Sequence, residues 1–124
     1  MDQGNTNFKG VVEYDGENQG TWTPSVGNLT VVGSFSSTGK WEKIGNVVFV
    51  SGTLSGTTSV AINANQIMCA NLPFTVLGAA TGTALNVSSN TGIVINPSGT
   101  SIYSASALAA TAMITFSAYY FTSV

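Results

Sequence analysis

Gly39-Lys40-Trp41-Glu42-Lys43-Ile44-Gly45-Asn46-Val47-Val48-Phe49-Val50-Ser51-Gly52-Thr53-Leu54 carries the strongest structural signal in the chain. If its first half is extended, Trp41 and Lys43 point one way, and Lys40, Glu42 and Ile44 the other. After Gly45-Asn46 come Val, Val, Phe and Val, with no helical spacing. β-Branched and aromatic residues between glycines predict a strand near the middle of a sheet. In a continuous strand Val48, Val50 and Leu54 share one face, apolar apart from Gly52, that looks into a core. Val47, Phe49, Ser51 and Thr53 share the other, which starts apolar and turns polar. Gly45 and Asn46 both tolerate positive φ, so they mark a turn or a bulge.

The same rhythm runs outward in both directions. Residues 1–7 are polar, Phe8 to Tyr14 is a short strand or an extended lead-in, and Asp15 to Gly20 is a turn or loop. Thr21-Trp22-Thr23-Pro24 is extended and sits at an edge or ends there, because proline lacks an amide donor. Gly27-Asn28, Ser37-Thr38-Gly39 and Gly56-Thr57-Thr58 are expected turns, with Leu29 to Ser36 β-like between the first two. Val60 and Ile62, Gln66 to Asn71, and Thr83 to Ser89 suit further strands. Leu72-Pro73-Phe74 breaks the ladder, and Gly78 to Gly82 is small and flexible. Asn96-Pro97-Ser98-Gly99 suits the turn of a hairpin. Ser104 to Thr111 fits either a helical turn or a loop. The last strand runs from Ala112 to Thr122; Ala112, Ile114, Phe116, Ala118 and Tyr120 share one face, and Met113, Thr115, Ser117, Tyr119 and Phe121 share the other. Many short strands between Gly, Asn and Ser turns predict an all-β fold, an antiparallel β-sandwich of jelly-roll type.

A chain of 124 residues supports one modest core. It holds three lysines, five carboxylates, no arginine and no histidine, and every charge lies at or before Lys43. From Ile44 onward the chain is Gly, Ala, Ser, Thr, Asn and apolar residues. Its Val, Ile, Leu and Phe content argues against disorder, and no apolar run is long enough for a membrane-spanning helix. A near-neutral domain invites self-association, so a homo-oligomer is expected. A formal charge of −2 argues against nucleic acid as a partner. Cys69 is single and reads as a small buried hydrophobe.

Gly20-Thr21-Trp22-Thr23-Pro24, then the Gly39–Gly52 stretch, then Leu72-Pro73-Phe74, and last an aromatic-rich strand follow one another in an order that resembles the small C-terminal β-sandwich domains of bacteriophage tail fibres and tailspikes. The resemblance covers residues 20–124, leaving 1–19 as a lead-in or junction to an upstream fibre region. It implies a homotrimer of jelly-roll-like domains at the distal end of a fibre or spike, within the virion. Such domains trimerise the protein, and some recognise host-surface carbohydrate, here a polysaccharide or lipopolysaccharide. Two features depart from the pattern: Tyr119-Tyr120-Phe121 lacks the charges often found there, and residues 78–111 are bland.

Glu13, Asp15, Glu17 and Glu42 could form a carboxylate pair for glycoside hydrolysis or sit as a solvated loop. The second reading is preferred, so no catalytic residue is assigned and a polysaccharide depolymerase is kept as an alternative. Without histidine and with one cysteine, no zinc set exists; Asp15 and Glu17 match no EF-hand spacing, and serine lacks a histidine base. No metal or cofactor is expected. Aromatic platforms amid Asn, Ser and Thr suit sugars. Trp22, Trp41 and Tyr103 are the candidates for carbohydrate binding, with core or intersubunit packing as the competing role of both tryptophans. Met113, Thr115, Tyr119, Tyr120 and Phe121 are the candidates for a trimer seam. A purely structural trimerising or capping role is the other alternative.

Overall fold

A computed structural model describes residues 18–123. The expected lead-in strand at Phe8 to Tyr14, the carboxylates Glu13, Asp15 and Glu17, and the proposed junction through residue 17 lie outside them.

Ile44 pairs with Val47 across Gly45-Asn46, a two-residue hairpin loop. Gly45 supplies the positive φ of 62° that such a loop needs at its first position. The hairpin joins β3 (Phe35–Ile44) to β4 (Val47–Ile62). β1 (Gln19–Trp22) pairs with β3, and β2 (Thr30–Val32) pairs with the far end of β4. β2 and β3 keep one register along β4 on both sides of Gly33-Ser34 and act as one interrupted strand. A second group follows in sequence: β5 (Ile67–Ala70), β6 (Leu77–Asn86), β7 (Thr91–Ser98) and β8 (Ser101–Ser104). β9 (Leu108–Phe121) lies between β4 and β6 and unites the groups. The order across the sheet is β1-β3-β4-β9-β6-β7-β8-β5.

The expected β-sandwich is therefore not formed. The molecule is a single antiparallel sheet curled into a half-barrel with open edges, and its core is the concave side of that one sheet. The physical reason lies in strand length. β4 has 16 residues and β9 has 14. Strands that long accumulate twist and coil the sheet around its own apolar face, so no second sheet is needed to cover it. The sequence expectation cut these strands short by taking glycine as a turn. Ser37-Thr38-Gly39 lies inside β3, Gly56-Thr57-Thr58 inside β4, and Gly78 to Gly82 inside β6.

Gly39 and Gly52 show what such glycines do. One inner row runs Trp22, Gly39, Gly52, Phe116, Ala84 across five strands. The two glycines leave a slot over which the Trp22 and Phe116 rings meet edge to face, centroids 6.0 Å apart. A Cβ at Gly39 would stand 2.6 Å from Trp22 Nε1, and one at Gly52 2.9 Å from Phe116 Cζ. Trp22 Nε1–H donates to the Lys40 carbonyl at 3.2 Å.

Val48, Val50, Leu54, Ile114 and Tyr120 line the concave side as their alternation predicts. Other details differ. The β7–β8 turn is Gly99-Thr100, and Pro97 is a buried strand residue opposite Ile102. Ser104 to Thr111 contains no helix; β8 ends, three residues bend, and β9 begins. In β6 the inward residues are Ala84 and Asn86. Asn86 is tolerated there because its Nδ2 donates to the Ala109 carbonyl and its Oδ1 accepts from Ser89 N–H. Leu72-Pro73-Phe74 closes one end of the half-barrel: Leu72 N–H donates to Thr100 O, and Tyr120 Oη–H to Phe74 O. The two edges meet over a short segment just past β1: Ser25 bridges Ala70 of β5 at 3.1 and 3.4 Å, Asn28 N–H donates to Ile67 O at 2.8 Å, and Asn71 Nδ2 donates to Thr23 O at 3.0 Å.

Candidate groove on the outer sheet face

Alternation that turns half of each strand inward turns the other half outward. The pairings align these outward residues in rows across the sheet. Lys40, Ser51, Ser117, Thr83 and Val94 form one row; Glu42, Phe49, Tyr119 and Thr81 form the next, and Thr21 and Gln19 extend the two onto β1. Small residues (Ser51, Ser117, Thr83) occupy the middle, and larger ones (Phe49, Tyr119, Val94) flank them. The result is an open groove of about 880 Å³ lined by these side chains. Phe49 and Tyr119 are cross-strand partners with ring centroids 6.1 Å apart and planes tilted by 42°. Both are about half exposed, so each ring presents a face to solvent. Lys40 and Glu42 are the charged side chains of the groove and lie together at one end.

The residues singled out in the sequence are distributed around this groove rather than gathered in it. Trp22 is 8 % exposed and packs in the core, so it has no ring face for a ligand. Trp41 is half-buried on the concave side, beside Val50 and edge-on to Phe74 with centroids 5.0 Å apart, so its ring faces the core and not the groove. Tyr103 lies on the outer face of β8, opposite Asn96, beyond the groove. Of the seam candidates, Tyr119 and Phe121 are exposed and Met113 and Thr115 half-buried. Tyr120 is fully buried, its hydroxyl held by Phe74 O at 2.9 Å, so it belongs to the core and not to a surface. Burial pushes its pKa up to about 12.

Phe49 was the missed residue. The signal was present: a large aromatic ring sits on the same strand face as Ser51 and Thr53. Only the β4–β9 register brings it against Tyr119.

A second set of exposed apolar side chains lies at the hairpin end of the same face. Ile44, Val47, Phe121 and Leu77 are aligned across β3, β4, β9 and β6. Ile44, Phe121 and Leu77 are well exposed, and no charged side chain separates them.

Among the described residues no cluster of His, Cys, Asp and Glu could hold a metal ion. Glu42 is the one carboxylate side chain among them. The buried hydroxyls of Ser104 and Thr111 have structural partners: Ser104 Oγ–H donates to Asn63 O at 2.6 Å, and Thr111 Oγ1 accepts from Ser88 N–H. Cys69 is buried, and desolvation pushes its thiol up to about 12. Among the described residues no helix is long and apolar enough to cross a membrane. No family model, curated protein or solved structure matches the chain.

Proposed function

We propose that this chain is the distal recognition domain of a viral fibre or tailspike, binding a host cell-surface carbohydrate without chemical change. The observation that carries the proposal is the outer groove, with Phe49 and Tyr119 side by side among hydroxyl and amide groups. Sugars present apolar C–H faces and hydroxyl edges together; aromatic rings take the first, and Ser, Thr and Gln side chains take the second. Gln19, Ser51, Thr81, Thr83 and Ser117 supply such groups around the two rings. The position at a fibre tip rests on the sequence resemblance.

The domain works as a homotrimer in this proposal, with Ile44, Val47, Phe121 and Leu77 at the seam. Three weak sites on one rigid tip raise avidity well above that of a single site. The experiment is a glycan microarray with the purified chain, followed by titration calorimetry. Tyr119→Ala and Phe49→Ala should each weaken binding by about tenfold or more, with the circular-dichroism spectrum unchanged. Binding that is indifferent to both substitutions sinks the assignment of the groove.

The exposed apolar row favours a second reading, in which the domain only trimerises or caps a fibre. A trimer by light scattering that binds no glycan and no bacterial surface would establish it.

A further inference from the structure

We infer that the groove is one end of a longer trough and takes a linear, neutral oligosaccharide of several linked sugars, not a single terminal sugar. This inference rests on the carbohydrate reading above and names the ligand class of that same site.

A second depression of about 450 Å³ lies on the same face, bordered by Thr83, Leu85, Gly92, Thr115 and Ser117. Thr83 and Ser117 also line the first groove, so the two depressions share a wall made of two small hydroxyl residues. The register places Thr115 and Leu85 one row beyond Ser117 and Thr83, on the same side of the sheet. Gly92, the partner of Leu85, offers no side chain to block the far end. With strands spaced by about 4.8 Å, the first groove crosses about 24 Å from β1 to β7, and the second depression adds about 7 Å along the strands, so the diagonal of the two is well beyond one sugar ring.

The surface of the trough selects the chemistry. Its charged groups, Lys40 and Glu42, are of opposite sign and adjacent at one end. Nothing along the remainder complements a run of carboxylates or phosphates. Hydroxyls on the neighbouring strip are engaged with each other, Ser36 with Ser55 and Thr38 with Thr53, both at 2.8 Å. Among the described residues no comparable partner holds Ser51, Ser117, Thr83 or Thr115. Each can donate one hydrogen bond and accept others at intervals set by the sheet. A polyhydroxylated chain running across the strands matches that spacing; a compact ligand would use only the aromatic end.

The test is an affinity ladder on the intact chain, using neutral gluco-, manno- and galacto-oligosaccharides from di- to octasaccharide, with uronic-acid and sialylated series alongside. Affinity for a neutral series should rise by about tenfold from di- to hexasaccharide and then level off. Thr115→Lys should return the hexasaccharide to the disaccharide value while leaving the disaccharide unchanged. Leu85→Lys should do the same and guards against a folding defect in the first variant. Equal affinity for di- and hexasaccharide would overturn the extended trough but leave the carbohydrate reading standing. Binding confined to the acidic series would overturn the neutral class. No binding to any saccharide would overturn both.

Discussion

A methyl group at Gly39 would meet the Trp22 indole, and a methyl group at Gly52 the Phe116 ring. Both glycines sit in strands where the residue itself packs nothing; the space they leave is filled by rings from neighbouring strands. Gly39→Ala should therefore cost about 1–3 kcal/mol by overpacking, seen as a lower denaturant midpoint at unchanged slope. Trp22→Ala should cost about 3–5 kcal/mol, since it empties the slot those glycines make. Cys69 and Tyr120 give the residue scale its pH dependence. Their pKa values rise from 9.0 and 10.0 to about 12 on folding. The neutral forms are the ones the core accepts, so their stabilising effect is complete below pH 9 and is lost as pH climbs toward 12. Above pH 9 the unfolded chain releases protons that the folded chain keeps, and each group lowers stability by up to about 1.4 kcal/mol per pH unit. Urea midpoints should be flat up to pH 9 and fall beyond it, and Cys69→Ala should move the onset toward pH 10. The native Cys69 thiol should resist alkylation until the chain unfolds.

Among the elements, the hairpin from Lys40 to Leu54 and the second half of β9 were the most legible. From Val48 to Leu54 and from Ile114 to Tyr120 the inward residues alternate, and the hairpin loop is marked by a glycine that its geometry requires. β6 was the least legible: Leu77, Leu85 and Val87 advertise an apolar face, yet Ala84 and Asn86 point inward. Asn86 is acceptable there only through bonds to Ala109 and Ser89; Ser89 is three residues away, but Ala109 cannot be named before the β6–β9 pairing is known. The Phe49–Tyr119 pair was hidden for the same reason, since cross-strand register is not written in local pattern. At this scale the row Ile44, Val47, Phe121 and Leu77 makes the sharpest prediction. Phe121→Asp or Ile44→Lys should leave the β-sheet spectrum intact and convert a trimer to monomers by sedimentation. A monodisperse wild-type monomer would dismiss the seam.

For the whole molecule, the all-β class was legible from composition and turn rhythm, but closure was not. Sandwich and half-barrel share the same alternation. They differ in how far strands run before they break, and single glycines inside β-branched runs do not break them. The consequence for folding is that pairings distant in sequence must form before the concave face is covered. Met113 to Phe121 pair with Ser55 to Val47, and Ile114 to Ser117 with Asn86 to Thr83. Refolding should accordingly be slow for a domain this size, in milliseconds to seconds by stopped-flow fluorescence of Trp22 and Trp41.

β9 is also the last of these strands in sequence, and it occupies the middle of the sheet. While the ribosome is still adding residues before Leu108, the nascent polypeptide holds two half-sheets, hydrogen-bonded to each other among the described residues only between residues 23–28 and 67–71, each with an unsatisfied inner edge. Vectorial synthesis cannot finish this domain piecemeal; it must wait, exposed, for its keystone. A product terminated early, near residue 106, should be captured by chaperones or precipitate, and a synthetic peptide of residues 107–124 added in trans should rescue it.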